Sequence, residues 1–265
     1  MPVQNYRELK PTPEAEAIYR RWISNLNEEF SRHQNFDRRA EIVRDELYQM
    51  YLGRPHGARK QATLASELAT NVQAECFDPS NITLEAEYYG DVDVEKYNVR
   101  KPLIWFWLMF DRSPLGMNHW LGFRFRCMLG RHIFRHVGKG VKIFHNVEFT
   151  YGYNLTIGDN CTIHKNVLLD DRGEIILHDG TSISDYANIY SHTHDINKQS
   201  DVTNKPTELG PGARVTYHAT VLAGAHIGEN AMLGAMGLAT KPVPPSSVSV
   251  GIPAHVKRQK DTGQH

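Results

Sequence analysis

The chain has 265 residues, of which 40% are hydrophobic and 23% are charged. This composition is typical of an ordinary globular protein and excludes an intrinsically disordered one. Its 30 basic side chains balance its 30 acidic ones, so the net charge gives no indication of nucleic-acid binding.

The cysteines and the N-terminal residues give an indication of the cellular compartment. Cys76, Cys127 and Cys161 are far apart and form no CxxC pair, which disfavours a disulfide framework and a structural zinc site. The first 19 residues lack the apolar core of a secretory signal. The longest apolar run, residues 102–110, is shorter than the roughly 18–20 residues that cross a bilayer. We therefore expect a cytoplasmic protein.

Residues 1–100 are predicted to be mostly helical. Apolar side chains recur at helical spacing in residues 14–30 and again in residues 39–52, where Gly53 should end the helix. A third helix is expected over residues 61–69, and the alternating pattern of residues 71–93 predicts extended structure. No chemical motif is recognisable here. We interpret the region as a cap or an oligomer-contact domain.

Residues 101–136 form a bridging segment that is both aromatic and basic, with five arginines against one acid, Asp111. Such a segment could lie in a membrane interface among anionic lipids. The interpretation that we favour is that its apolar face packs on the end of the next domain, while the arginines face water or bind phosphate. Any membrane contact should then be weak. The arginines are Arg112, Arg124, Arg126, Arg131 and Arg135.

From Val137 the sequence repeats every six residues. A period of six fits neither ordinary strands nor helices and is typical of a β-solenoid, whose repeats bury their apolar residues by stacking on one another. We expect the solenoid over residues 137–245, with a loop at 195–208 and a C-terminal tail over 246–265. The first positions of the hexads are Val137, Ile143, Phe149, Ile157, Ile163, Leu177, Ile183, Ile189, Leu209, Val215, Val221, Ile227 and Leu233, and the small fifth positions include Ala213, Ala219, Ala225, Ala231 and Gly237.

The hexads IGDNCT, LGPGAR and IGENAM resemble those of the hexapeptide-repeat acyltransferases. Within that family the chain is most similar to the maltose and galactoside O-acetyltransferase branch, through YGYNLTIG at 151–158, a coil ending in YSHTH, Lys-Pro at 205–206 and Gly-Ile-Pro-Ala at 251–254. The resemblance covers residues 140–258. It implies a mainly β protein, a left-handed parallel β-helix (hexapeptide solenoid) with an N-terminal mostly helical region.

The resemblance also implies an activity and an assembly. The expected reaction is transfer of an acetyl group from acetyl-CoA, as co-substrate, to a hydroxyl of a sugar, glycan or related small acceptor. No separate cofactor, metal or nucleic acid is expected. The family's solenoids form homotrimers in which two subunits share each site.

His194 is the candidate general base. Direct acetyl transfer needs a group that takes the proton of the attacking hydroxyl, and His is suited to this near neutral pH. In the hexad that ends at His194, Ile189 and Thr193 should face the interior, so His194 should point outward beside the loop. The resemblance places the family's catalytic histidine on this residue. His192 is the rival, and either binds acceptor or caps the turn.

The remaining site residues are implied by the resemblance. For the acceptor these are Asp170, His192, Tyr151 and His164, with a turn cap as the alternative role of Asp170. His164 stands where the branch usually has asparagine, which leaves the acceptor open. For acetyl-CoA they are Gly224, Ala225, Ala235, Met236, Thr240, Lys241, Lys257 and Arg258. The last two are placed at the nucleotide phosphate, where cations have a clear purpose, or else belong to a solvated basic tail.

Two other classes of protein use such a solenoid. The γ-class carbonic anhydrases bind zinc through histidines across a subunit interface, and His192, His194 and His218 could supply three ligands. That alternative predicts zinc in the purified protein. A catalytically silent assembly protein is the other alternative, and it would not bind CoA.

Overall fold

The structure, a computed structural model, describes residues 10–58 and 68–260. Within these ranges the N-terminal half is helical and the C-terminal half is a solenoid. The helices are Pro13–Arg32 (α1), Phe36–Leu52 (α2), Leu68–Glu75 (α3), Val94–Asn98 (α4), Lys101–Arg112 (α5) and His119–Ile133 (α6).

The first two helices confirm the predictions for residues 14–30 and 39–52. Thr12 caps α1 by accepting a hydrogen bond from the amide of Ala15, and Asn35 caps α2 in the same way. Gly53 ends α2 in the left-handed region at φ 61°, which glycine adopts without steric cost. The helix predicted at 61–69 lies outside the described residues except for the first two residues of α3.

The extended structure predicted for residues 71–93 is wrong. Helix α3 occupies the start of this range, and short 3-10 turns follow at Pro79–Asn81 and Glu85–Tyr88. Side chains bond to the local backbone at both turns: Asp78 accepts from the amide of Ser80, and the amide of Leu84 donates to Glu87 at 2.6 Å. Such local bonds stabilise turns in competition with strand pairing.

Nineteen strands follow in the described part of the chain, and parallel pairing among sixteen of them builds the solenoid. In chain order they are His136–Val137 (β1), Lys142–Ile143 (β2), Glu148–Phe149 (β3), Leu155–Ile157 (β4), Thr162–Ile163 (β5), Leu168–Asp170 (β6), Ile175–Leu177 (β7), Ser182–Ile183 (β8), Asn188–Tyr190 (β9), His192–His194 (β10), Val202–Asn204 (β11), Thr207–Leu209 (β12), Arg214–Val215 (β13), Thr220–Val221 (β14), His226–Ile227 (β15), Met232–Leu233 (β16), Leu238–Ala239 (β17), Ser247–Val250 (β18) and His255–Gln259 (β19).

Each coil gives one strand to each of three sheets. The first sheet has the order β1-β4-β7-β12-β15, the second continues β2-β5-β8-β13-β16-β18, and the third is β3-β6-β9-β14-β17. Residues one coil apart lie side by side, as Ile163 does with Ile183. All the predicted first positions of the hexads are buried except Phe149, which is half-buried. The predicted register is therefore confirmed.

Most corners of the coils have a left-handed residue at the fourth position of the hexad. Twelve such positions have φ between 54° and 76°, a region that asparagine and glycine tolerate best. This explains the recurring Gly and Asn of the repeats. Three positions carry other residues: Tyr186, His218 and Met236, which follow one another along the corner between the second and third sheets.

The bridging segment packs on the first coil, as the favoured interpretation predicts. The indole N–H of Trp107, on α5, donates to the carbonyl of Val147 at 3.1 Å, and the Trp107 ring contacts Phe134 and Phe149. These aromatic rings are largely buried between the helices and the solenoid. No helix in the described ranges combines the length and the apolar content needed to span a bilayer.

The expectation that the arginines of this segment face water or bind phosphate is wrong for Arg126. Its side chain is 1% exposed and donates to Asp111 at 2.8 Å through Nε. It also donates to the carbonyls of Ile143 and Gly116. Burial raises the pKa of Asp111, against the attraction of Arg126. An ion pair inside the junction therefore joins α5, α6 and the first coil.

The C-terminal boundary lies beyond the predicted residue 245. Strand β18 pairs in parallel with β16, and β19 turns back to pair antiparallel with β18. Residues 246–260 therefore close the last coil, whereas the sequence analysis placed them in a C-terminal tail.

Candidate active site

The long loop is a β-hairpin that leaves the third coil. Ser191 is buried, and its hydroxyl donates to the carbonyl of Asp170 at 2.6 Å. The chain returns at Lys205, whose amide donates to the carbonyl of Ser191 at 2.8 Å. Between these points β10 and β11 pair antiparallel. Thr193 is exposed, so the prediction that it faces the interior is wrong, because the coil ends at Ser191.

His194 lies on β10 and is exposed, as predicted. Its Nδ1 atom is 2.7 Å from the carbonyl oxygen of Gln199. Because a carbonyl oxygen only accepts hydrogen bonds, the neutral form of this imidazole carries its proton on Nδ1 and has its lone pair on Nε2. The hairpin therefore holds the imidazole in the tautomer that a general base needs.

His192 and Asp170 lie against each other beside this imidazole. The Nδ1 atom of His192 is 3.0 Å from Oδ2 of Asp170, and both side chains are mostly buried. The distance is that of an ion pair, although the two atoms are not aligned as a hydrogen bond. The rings of His192 and His194 are 5.3 Å apart and nearly perpendicular. Two of the predicted acceptor residues thus meet next to the candidate base.

Asp171, and not Asp170, has the capping role at the adjacent corner. Its buried carboxylate accepts hydrogen bonds from the amides of Thr150 and Tyr151 at 2.9 and 2.8 Å, and from that of Asn154 at 3.3 Å. Burial raises the pKa of Asp171 to about 7, while these amides act in the opposite direction. The carboxylate of Asp170 contributes to this corner only through Oδ1, which accepts from the hydroxyl of Thr150 at 3.3 Å, while its Oδ2 faces His192.

A cavity of about 490 Å³ opens over the two histidines. One wall comes from the N-terminal region, for which the sequence predicted no chemistry. The lining residues are Tyr88, Tyr89, Gly90, Arg172, His192, His194, Gln199, Ser200 and Val202. The solenoid corner, the hairpin and the N-terminal region therefore share one cavity.

Asp91 connects these three parts. It accepts hydrogen bonds from the hydroxyl of Tyr151 at 2.7 Å, from Arg172 at 2.9 Å and from Asn204 at 3.3 Å. Burial alone would raise the pKa of Asp91, but these three hydrogen bonds outweigh it and lower the pKa. Tyr151, predicted to contact the acceptor, is 1% exposed and is not among the residues that line the cavity. It acts as a support for Asp91.

His164 is not part of this cavity. It is half-buried and stacks on Phe144, with ring centroids 4.7 Å apart, and burial lowers its pKa. It follows β5 in the second sheet, whereas the hairpin follows β9 in the third. Within one chain the structure does not bring His164 to His194.

The predicted acetyl-CoA residues lie on two different corners of the solenoid. Gly224, Ala225, Thr240 and Lys241 follow strands of the third sheet and share the corner of the hairpin. The amide of Gly224 donates to the hydroxyl of Thr207, and a Cβ at this glycine would lie 3.2 Å from Lys205. Ala235 and Met236 follow β16 in the second sheet, and Lys257 and Arg258 are exposed on β19. These residues do not form one surface on a single chain.

The three histidines of the zinc alternative do not assemble within one chain. His218 stacks on Tyr186, with centroids 4.9 Å apart, on the corner that carries Met236. His192 and His194 lie on the hairpin at another corner. Among residues 10–58 and 68–260, no group of three or more His, Cys, Asp or Glu side chains is placed to hold a metal ion.

The sequence analysis missed Tyr88, Tyr89, Asp91, Arg172 and Gln199. The contact between Asp91 and Arg172 joins positions 81 residues apart, and no repeat or motif links them. The only available signal was Arg172 itself, a charged residue in the irregular stretch that follows Asp170. Gln199 contacts His194 through its backbone carbonyl, which every residue type has, so the sequence could not identify it.

Comparison with known proteins relates the chain to acetyltransferases. No family model matches the chain. The galactoside O-acetyltransferase of Escherichia coli (strain K12) is 27% identical over 154 residues, which are 58% of this chain and 67% of that protein. The putative colanic acid biosynthesis acetyltransferase WcaF of the same organism is 30% identical over 153 residues, which are 57% of this chain and 81% of WcaF. A putative acetyltransferase of Staphylococcus aureus (strain COL) is 31% identical over 133 residues, covering 49% and 67%.

Solved structures show the same fold. The maltose O-acetyltransferase of Clostridium difficile 630 superposes with a TM-score of 0.56 at 23% identity, over 65% of this chain and 91% of that one. A galactoside acetyltransferase in complex with coenzyme A gives the same score and identity, over 64% and 84%. The predicted left-handed β-helix is thereby confirmed.

Proposed function

Because this chain belongs to the hexapeptide-repeat acetyltransferases, we propose that it acetylates a hydroxyl of a sugar, glycan or related small acceptor, with His194 as the general base. Acetyl transfer is the activity of the family. The acceptor class and the base are supported by the site. The observation that carries the proposal is the contact of His194 Nδ1 with the Gln199 carbonyl, which leaves Nε2 open to the cavity.

The proposed reaction is direct attack. The acceptor hydroxyl donates a hydrogen bond to Nε2 of His194, and its oxygen attacks the carbonyl carbon of the thioester as the proton moves to Nε2. The tetrahedral intermediate then collapses, the carbon–sulfur bond breaks, and the CoA sulfur takes the proton from the imidazolium. The Gln199 carbonyl accepts from Nδ1 throughout and stabilises the imidazolium.

Asp170 and His192 are proposed to hold the acceptor. His192 lines the cavity, and Asp170 lies directly behind it; their side chains are 14% and 11% exposed. A carboxylate accepts hydrogen bonds from hydroxyls, and a histidine can donate or accept them. These groups suit a ligand with several hydroxyls, and they orient the one that faces His194.

A homotrimer would complete the donor site. The predicted acetyl-CoA residues lie on two corners of one solenoid, so a single CoA can contact both sets only if two chains place different corners side by side. Two subunits would then share each of three sites. Light scattering at micromolar concentration tests this, and a monomer would contradict it.

Membrane contact through residues 101–136 is proposed to be weak at most, because the aromatic rings of this segment are largely buried. Its exposed arginines would then act only through charge. We expect any cosedimentation with anionic vesicles to disappear in high salt, since salt screens such attraction.

An acceptor screen tests the proposed function. The purified protein is incubated with acetyl-CoA and a panel of sugars, glycosides and other small alcohols, and release of the CoA thiol is followed. We expect release that depends on a hydroxyl acceptor and persists after treatment with a zinc chelator. Loss of activity on chelation and its return with zinc would contradict the proposal.

A further inference from the structure

The N-terminal wall of the cavity (Tyr88, Tyr89 and Gly90) lies outside residues 140–258, in which the sequence motifs of the acetyltransferases occur. It is nevertheless fixed in place. The hydroxyl of Tyr89 donates to Glu85, and this bond raises the pKa of Tyr89 to about 12. Glu87 forms an ion pair with the largely buried Lys101 at 2.8 Å. The wall is therefore a built part of the cavity and not a loose loop.

Arg172 joins the wall to the solenoid. Its guanidinium carbon lies 4.2 Å from the centroid of the Tyr89 ring, a distance at which cation and ring attract. The same guanidinium forms an ion pair with Asp91 at 2.9 Å. Arg172 is 7% exposed. Its charge is thus compensated from one side by a carboxylate and from the other by an aromatic face.

The charge of the cavity follows from this pairing. Arg172 is the only lysine, arginine or carboxylate among the described lining residues, and Asp91 neutralises it. Recognition of a phosphate or carboxylate group uses cations that are free to form charge-assisted hydrogen bonds. The cavity is therefore better suited to an uncharged, hydroxyl-bearing ligand.

Tyr88 supplies an aromatic surface at the mouth of this cavity. Its side chain is 88% exposed, and its ring lies 6.0 Å from that of Tyr89 at an angle of 75°. Large aromatic side chains with a polar tip are suited to binding sites where one side of the ligand is apolar and the other is wet. A sugar ring has such a structure, with C–H groups on its faces and hydroxyls on its rim.

We infer that Tyr88 is a specificity-determining residue, which stacks on a ring of an uncharged glycoside acceptor while a hydroxyl of that acceptor faces His194. This inference rests on the proposed function. It assigns to the N-terminal region a part in acceptor selection that the solenoid alone does not supply.

The experiment compares Tyr88→Ala, Tyr88→Phe and Tyr88→Trp with wild type. Val94→Ala is the control, because Val94 is also exposed (58%) and in the same region but outside the cavity. Thiol release from acetyl-CoA is measured with a neutral monosaccharide, a neutral aryl glycoside, a neutral disaccharide and a sugar phosphate. The KM for each acceptor, the KM for acetyl-CoA and kcat are determined separately.

We expect Tyr88→Ala to raise the KM for the neutral glycosides about five- to tenfold, the usual worth of an aromatic contact. The kcat and the KM for acetyl-CoA should stay near wild type. The Phe and Trp variants should keep a low acceptor KM, since they retain an aromatic face, and Val94→Ala should behave as wild type. A merely structural role would alter kcat and both KM values together.

Two results would overturn the inference while leaving the proposed function intact. One is an active Tyr88→Ala enzyme with an unchanged acceptor KM. The other is a wild-type enzyme that prefers the sugar phosphate to its neutral counterpart. If wild type and Val94→Ala both release no thiol with any hydroxyl acceptor, the proposed function itself is wrong and the inference falls with it.

Discussion

The Nδ1 atom of His194 donates a hydrogen bond to the carbonyl oxygen of Gln199, across the tip of one hairpin. The amide of Asp195 also donates to the carbonyl of Asp201 at 2.9 Å, which closes the tip. The side chain and the group that orients it are therefore parts of the same local structure. The solenoid itself only supplies the two points from which the hairpin leaves and returns.

His194→Ala should lower kcat by a factor on the order of 10² to 10⁴, the usual worth of a positioned general base. The KM for acetyl-CoA should stay nearly unchanged, because the imidazole acts on the acceptor. His192→Ala should cost much less, and His136→Ala, which removes an exposed histidine of the first coil, should be neutral. Full activity of His194→Ala would contradict the proposed mechanism.

A shortened hairpin tests the role of the Gln199 carbonyl. Residues 196–200 are replaced by Asn-Gly, which favours two-residue hairpin turns. We expect this change to lower kcat about tenfold or more. The change removes the carbonyl that fixes the His194 tautomer, and loss of such a partner typically costs an oriented histidine this much. Gln199→Ala is the control, since it keeps the backbone carbonyl, and its kcat should match wild type. Steady-state kinetics at saturating acceptor measures kcat for both variants. An equal loss of kcat in the two variants would show that the side chain of Gln199, and not its carbonyl, is needed.

Lys257 and Arg258 changed together to Ala should raise the KM for acetyl-CoA several-fold and leave kcat nearly unchanged. Their proposed contact is to the nucleotide phosphate, which is remote from the chemistry and is the same in the ground and transition states. The control removes two exposed arginines of α1 and α2, Arg32 and Arg38. A KM for acetyl-CoA that does not change would mean that β19 only closes the last coil.

Asp111→Ala should lower the free energy of unfolding by about 3–5 kcal/mol, because it leaves the guanidinium of Arg126 buried without its partner. Asp45→Ala removes a carboxylate from an exposed pair with Arg44 and should cost at most about 1 kcal/mol. Urea denaturation measures both. The double change Asp111→Leu with Arg126→Met should restore part of the loss.

Acid should destabilise the junction of α1 and α6 through His132. Its ring is within 3.0 Å of the Asn27 side chain and contacts Phe30, and burial lowers its pKa from 6.5 to about 4. Between these two values the unfolded chain binds a proton that the folded chain does not, so stability falls as the pH decreases from about 6.5 to 4. His132→Gln should lose less thermal stability over this range than wild type does, whereas His136→Gln should follow wild type.

The repeat explains why the solenoid could be predicted from the sequence. Buried first positions such as Leu209, Val215 and Val221 recur every six residues, and most of the left-handed corners carry Gly or Asn. The resemblance singled out His194 as the candidate base. Its exposure was predicted from a register that ends at Ser191, so the exposed side chain follows from the hairpin and not from the repeat.

The cavity wall could not be predicted for the opposite reason. Tyr88 and Arg172 meet because a helical region folds back on a solenoid corner, and no periodicity encodes that contact. The alternating pattern of residues 71–93 misled because local hydrogen bonds of Asp78 and Glu87 favour turns. Thr193 was assigned to the interior because the repeat was continued two residues past Ser191, where the chain departs.

A stack of parallel strands presents unpaired backbone groups at both ends and could in principle grow by adding another molecule. At one end of the stack, α6 contacts β1 and β2. At the other end, β19 pairs antiparallel with β18. There the amide of Leu238 donates to the carbonyl of Gly251, and the carbonyl of Leu238 accepts from the amide of Ala254. Neither end therefore offers a template for the next parallel strand. Helix α6 therefore blocks strand addition at the first coil in addition to supporting it. A fragment that begins at the first coil would expose that one end only, and would be expected to pair there with a second copy.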